Sequence, residues 1–162
     1  MWKAIAQAKE IPEQIPAAEI ARRKDFRSLP IVTIDGETAR DFDDAVYVER
    51  LPNGNWRLDV HIADVSHYVK PGEDLDRDAY ERATSVYFPR RVIPMLPEKL
   101  SNGLCSLNPD EERLALVCDM VVDAEGVVQA YQFFPAVIRS HARLTYTEAA
   151  AILANTKGPE AQ

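Results

Sequence analysis

Residues 29–34 are apolar, residues 45–48 are apolar again, and the stretch between them is almost entirely polar. This pattern predicts two strands, 31–35 and 45–51, joined by a polar loop. Pro52-Asn53-Gly54-Asn55 then precedes a third apolar run, and Asn-Gly in that setting marks a tight hairpin. Residues 56–63 alternate: Trp56, Leu58, Val60 and Ile62 share one face, and Arg57, Asp59 and His61 share the other. Residues 73–86 read as a helix. It opens on Glu73, Asp74, Asp76 and Asp78, which suits the positive end of the helix dipole. The chain is then extended to Pro97, because Pro89, Pro94 and Pro97 forbid a continuing helix. A short helix is expected at 98–104. Strands 113–123 and 127–139 form a second hairpin across Ala124-Glu125-Gly126. Thr145-Tyr-Thr-Glu148 is a capping box that starts a helix over 146–154. The predicted fold is α+β, an antiparallel-rich mixed sheet with packed helices, over residues 29–154. A polar lead-in, 1–28, with a short helix at 17–23, precedes it, and a tail, 155–162, follows it.

The loop between the first two strands carries the chemistry. Asp35, Asp41, Asp43 and Asp44 fall within ten residues, framed by the two apolar runs. Crowded carboxylates repel one another and hold protons more tightly unless a cation is present. Hard divalent ions such as Mg²⁺ or Mn²⁺ relieve that repulsion. A pair of them can clamp a phosphodiester between an attacking water and a leaving oxygen. A solvated acidic loop with caps and turns is the plain alternative. The calcium-loop pattern is absent: counted from Asp41, its sixth and twelfth positions hold Val46 and Pro52, and from Asp74 they hold Ala79 and Ser85. Asp64 either caps a turn or supports a metal site. His61 and His67 lack partners at metal-ligand spacing.

The segments TIDGETARDFDDAV, HIADVSHYV, TSVYFPRRVIPMLPEKLSNGLCSLNP and SHARLTY occur in that order. Together they resemble the catalytic RNB domain of the ribonuclease II / ribonuclease R family, over the N-terminal part of that domain. The resemblance implies a Mg²⁺-dependent hydrolytic 3′→5′ exoribonuclease that acts on single-stranded RNA and releases nucleoside 5′-monophosphates. It implies that Asp35, Asp41, Asp43 and Asp44 hold Mg²⁺, with Mn²⁺ as a substitute, and that Tyr87 stacks on the terminal nucleotides. Stacking of this kind tolerates any base. Arg90 and Arg91 become candidate phosphate contacts. No nucleotide cofactor is implied. The family's later arginine and glutamate, and much of its RNA channel, correspond to sequence beyond residue 162. A non-catalytic relative that binds metal or RNA is a second reading. Another metal-dependent phosphoryl- or glycosyl-transfer enzyme using the Asp cluster is a third.

Composition changes this picture in two respects. The net charge of −7 argues against a general nucleic-acid coat, which is ordinarily basic. The run Arg22-Arg23-Lys24, with Arg27, is an exception: it is either a solvated surface or a phosphate contact. There is also no run of about 18 apolar residues and no signal-peptide core, so a cytoplasmic protein without a membrane partner is expected. Cys105 and Cys118 are expected to be free thiols.

Overall fold

The computed structural model describes residues 2–155. Of the tail expected at 155–162, residues 156–162 lie outside the described residues. Seven strands form one sheet: β1 (Lys24–Phe26), β2 (Val32–Asp35), β3 (Asp44–Arg50), β4 (Trp56–Ala63), β7 (Glu112–Val122), β8 (Val128–Arg139) and β9 (Ala142–Thr145). Their spatial order is β1-β8-β7-β4-β3-β2-β9. The central pairs are antiparallel, while the edge strands β1 and β9 run parallel to β8 and β2. A separate ribbon pairs β5 (Val86–Phe88) with β6 (Arg91–Ile93). The helices are α1 (Trp2–Glu10), α2 (Ala17–Ala21), α3 (Val65–Tyr68), α4 (Asp74–Arg82) and α5 (Tyr146–Ala154), with a π-helical turn at Lys99–Leu104. The fold is thus α+β with a mostly antiparallel sheet. No helix among the described residues is long and apolar enough to cross a membrane.

The core lies between one face of the sheet and the helices. Ala63, Ala115 and Ala136 stand side by side across β4, β7 and β8, and all are buried. Such small side chains let the covering layer come close. Leu75 of α4 and Leu100 and Leu104 of the π-helical turn belong to that layer.

Three expectations are corrected. The polar lead-in is built into the fold: Ala4 and Ala8 of α1 are buried in the core. Gln7 caps α4 by accepting the Leu75 N–H at 2.9 Å. The basic run is largely consumed internally. Arg23 pairs with Glu19 and Asp64, Arg27 pairs with Asp25 and Glu112, and Lys24 sits 3.4 Å from the centre of the Phe134 ring. The helix expected over 73–86 stops at Arg82, because Ala83 turns left-handed at φ 63°. Val86 then enters the ribbon. Of the two roles open to Asp64 the cap is the one observed: it accepts from the Ser66 hydroxyl and the His67 N–H at the start of α3.

The alternation in β4 is present, but its burial is reversed. Asp59 and His61 are fully buried, while Trp56 and Ile62 are 39% and 47% exposed. Arg57 makes this possible by bridging Asp59 and Asp119, beneath the rings of Phe26 and Tyr47. On the opposite face Val48, Ile62, Leu116 and Phe133 remain exposed, and the strand register places all four on that one side.

His61 therefore sits uncharged inside the protein. Neither ring nitrogen has a hydrogen-bond partner among the described residues. Burial, with the Arg57 charge adding, pushes its pKa down to about 4. The unfolded chain binds this proton at about pH 6.5, so His61 costs stability as pH falls from 6.5 to 4, on the order of 3 kcal/mol. Asp59 opposes this: burial raises its pKa, so the folded chain takes up that proton more readily than the unfolded one. A His61→Leu variant should lose the acid sensitivity between pH 6.5 and 4, or reverse it. Urea midpoints across that range check this. An unchanged acid slope would contradict a buried neutral imidazole.

Candidate metal-binding and RNA-facing site

The four aspartates lie where β2 ends and β3 begins. Asp35 closes β2 and Asp44 opens β3. The Asp43 carbonyl accepts the Ala63 N–H at 2.9 Å, which carries the β3–β4 ladder one residue past the strand. The pleat then sends Asp43 and Asp44 toward opposite faces.

The loop between them is held from outside. Ser106 Oγ accepts the Phe42 N–H at 3.0 Å and donates to the Arg40 carbonyl at 3.2 Å. The Phe42 carbonyl accepts the Leu107 N–H at 2.8 Å, and the Phe42 ring is buried. Asp41, between Arg40 and Phe42, is thus fixed at both neighbours. Arg143 of β9 grips the earlier part of the loop through backbone carbonyls.

The carboxylates feel one another. Burial raises the Asp35 pKa, with Asp44 and then Asp41 adding to it, and Arg143 pulls it down. Asp43 reaches solvent, yet packed protein is the largest cause raising its pKa, followed by Asp41, Asp44 and Asp35. One oxygen of Asp35, Oδ2, is buried with no hydrogen-bond partner among the described residues.

This all-oxygen donor set, with its orphaned Asp35 oxygen, fits a hard divalent cation. Among the described residues, however, no three acidic, histidine or cysteine side chains converge closely enough to enclose an ion. Mutual repulsion and the opposed departure of Asp43 and Asp44 oppose such convergence.

Tyr87 reaches this loop from the ribbon. Its hydroxyl donates to Asp41 Oδ2 at 2.7 Å, and that bond is the main cause of a tyrosine pKa pushed up to about 12. The ring is 59% exposed, beside exposed Val86 and Phe88. Arg90 and Arg91 are exposed at the tip of the ribbon, and neither side chain makes a hydrogen bond or ion pair among the described residues. The base of the ribbon is pinned where Ser85 Oγ accepts the Met95 N–H at 2.9 Å. The structure thus brings Tyr87 onto the acidic loop and leaves the two arginines free on the same ribbon. His61 is buried in the sheet, and His67 packs its ring edgewise on Tyr68 beside Glu19.

Sequence reading missed Ser106, Arg143 and Phe42 as parts of this site. Arg143 and Ser106 lie in the segments that carry the family resemblance, but no local pattern assigns either to a loop so far away in the chain.

A curled, mostly antiparallel sheet with an acidic loop at a strand junction and an aromatic ribbon against it defines a recognisable class. Residues 23–162 match the family model described as "RNB domain", and the chain belongs to that family, of the ribonuclease II / ribonuclease R type. Among individual relatives, it is 60% identical over 142 residues to Ribonuclease R of Escherichia coli (strain K12), which covers 88% of this chain and 18% of that protein. It is 54% identical over 158 residues to Ribonuclease R of Acidithiobacillus ferrooxidans, covering 98% of this chain and 36% of the other. Mycoplasma genitalium RNase R, solved in complex with double-stranded RNA, superposes with a TM-score of 0.88 at 37% identity, over 96% of this chain and 27% of that one. The chain spans well under half the length of each.

Proposed function

We propose that this chain carries the cation-binding part of a Mg²⁺-dependent hydrolytic exoribonuclease. The enzyme removes nucleoside 5′-monophosphates from the 3′ end of single-stranded RNA. The supporting observation is the set of four mutually interacting aspartates with the Tyr87 hydroxyl on Asp41. Asp35, Asp41, Asp43 and Asp44 hold the cations. Bound there, Mg²⁺ supplies an acidified water and neutralises charge on the phosphate. Tyr87 offers its exposed ring to the terminal bases, and its bond to Asp41 ties base position to the loop. Arg90 and Arg91 contact the phosphates. The full site would be completed by sequence in the part of the relatives' length that this chain does not span.

The test is 5′-labelled single-stranded RNA incubated with the folded chain and Mg²⁺. Stepwise shortening from the 3′ end that stops with a chelator is the expected outcome. Intact RNA, from a chain that melts cooperatively, would sink catalysis by this chain. It would favour the second reading, a binding module, which the lack of convergent carboxylates among the described residues supports.

Tyr87 separates stacking from hydrogen bonding. In an Asp43→Asn background that prevents turnover, Tyr87→Phe should leave RNA affinity nearly unchanged. Tyr87→Ala should weaken it by about 1–3 kcal/mol, the value of one base–aromatic stack. Fluorescence anisotropy of a labelled oligonucleotide reads the difference, and equal losses from both variants would rule out stacking as the role of Tyr87.

A further inference from the structure

Arg143 lies on β9, opposite Thr33 of β2, and so stands two residues before Asp35 in the register. Its Nη2 donates to the Glu37 carbonyl at 3.0 Å, with longer contacts to Ala39 at 3.3 Å and Gly36 at 3.4 Å. The turn it spans is closed on itself by the Ala39 N–H donating to the Gly36 carbonyl at 3.1 Å. The guanidinium carbon also lies 4.8 Å from the centre of the buried Phe42 ring. One planar group therefore touches both ends of the segment that separates Asp35 from Asp41. A lysine ammonium on a flexible stem cannot reproduce that span.

We propose that Arg143 is a positioning residue, whose guanidinium sets the turn at residues 36–39 and so the spacing of Asp35 from Asp41, Asp43 and Asp44 for a divalent cation. This rests on the cation reading above. The rival role is that of a simple counter-ion, and the two roles predict opposite signs. A positive side chain beside a cation site repels the ion, so deleting the charge alone tightens binding. Losing the shape of the loop weakens binding. The hydrogen bonds of the guanidinium all go to backbone carbonyls, and it forms no ion pair with a carboxylate among the described residues. The loss of shape therefore outweighs the loss of charge. Groups that orient metal ligands commonly change metal affinity by 10–100-fold.

The experiment titrates Mn²⁺ into the parent chain, Arg143→Met and Arg143→Lys without RNA, reading free Mn²⁺ by electron paramagnetic resonance. Amide hydrogen exchange is followed on the same samples. Arg143→Met should bind Mn²⁺ roughly 10-fold more weakly or worse, and Arg143→Lys should not restore parental affinity. The Ala39 amide should exchange faster in both variants, while the β4 and β7 amides keep their protection. Unchanged or tighter Mn²⁺ binding by Arg143→Met overturns the inference, as does full rescue by Arg143→Lys. If Arg143→Met fails to melt cooperatively, Arg143→Lys decides alone: weakened binding supports the inference, and parental affinity overturns it. A parent chain that takes up no Mn²⁺ saturably overturns the cation reading and this inference with it, and that is seen before any substitution.

Discussion

Replacing Asp43 with asparagine is expected to reduce Mg²⁺-dependent RNA shortening by roughly 100- to 1,000-fold, the several kcal/mol that metal-ion catalysis supplies. Asparagine keeps the shape of the side chain and the backbone link from the Asp43 carbonyl to Ala63. What it removes is a negative charge whose pKa is raised by packed protein and then by Asp41, Asp44 and Asp35. The same change relieves repulsion in the cation-free protein. The variant should therefore melt no lower than the parent without Mg²⁺, yet gain much less from adding it. A variant that loses activity and stability together would indicate collapse of the loop, and full activity would refute the role of Asp43. The pH dependence has a definite sign. Protons and cations compete for carboxylates whose pKa values are raised, as those of Asp35 and Asp43 are. Stabilisation of the parent by Mg²⁺ should be larger at pH 8 than at pH 5, measured as the shift in melting temperature with and without the ion.

The second large effect concerns stability. Arg23→Met is expected to cost about 3–5 kcal/mol, because it strands a buried carboxylate. Arg23 donates to Asp64 at 2.7 Å and to Glu19 at 2.8 Å, and the Arg23 and Asp64 side chains are only 6% and 4% exposed. The pair ties α2 to the start of α3, where Asp64 also caps the helix. Arg22, next to it, has a side chain 77% exposed and only a 3.5 Å contact with Glu19. Arg22→Met should therefore change stability by no more than about 0.5 kcal/mol. Urea unfolding of the two variants makes the comparison, and a loss below about 1 kcal/mol for Arg23→Met would contradict the buried-pair argument. The gap should also narrow in acid. The pKa of Asp64 is lowered in the fold by hydrogen bonds from Ser66 and Arg23, against the opposing effect of burial. Its contribution is thus present above the unfolded value and is lost as pH falls through the folded one.

Much of this protein was legible in its sequence, wherever the determinant is local. Alternation located β4, Asn53-Gly54 located its hairpin, and the Thr145–Glu148 capping box opened α5 as expected. The acidic loop stood out because four like charges between two apolar runs need an explanation within the loop itself. Tertiary structure decided what those patterns are used for. The period of β4 says that two faces differ, but which one faces inward depends on Arg57, Asp119, Phe26 and Tyr47 meeting around it. Arg23 looked like surface charge until Asp64, from a distant segment, came within 2.7 Å. Strands as short as β1 and β9 carry too few residues to show a period and exist because β8 and β2 offer them a parallel edge. The grip of Arg143 and Ser106 on the acidic loop, and the bond from Tyr87 to Asp41, join residues far apart in the chain. Hydrophobic period, turn chemistry and capping act between near neighbours, and so can be read along a sequence. Burial, ion pairing and the shape of the acidic loop depend on which distant residues the fold brings together.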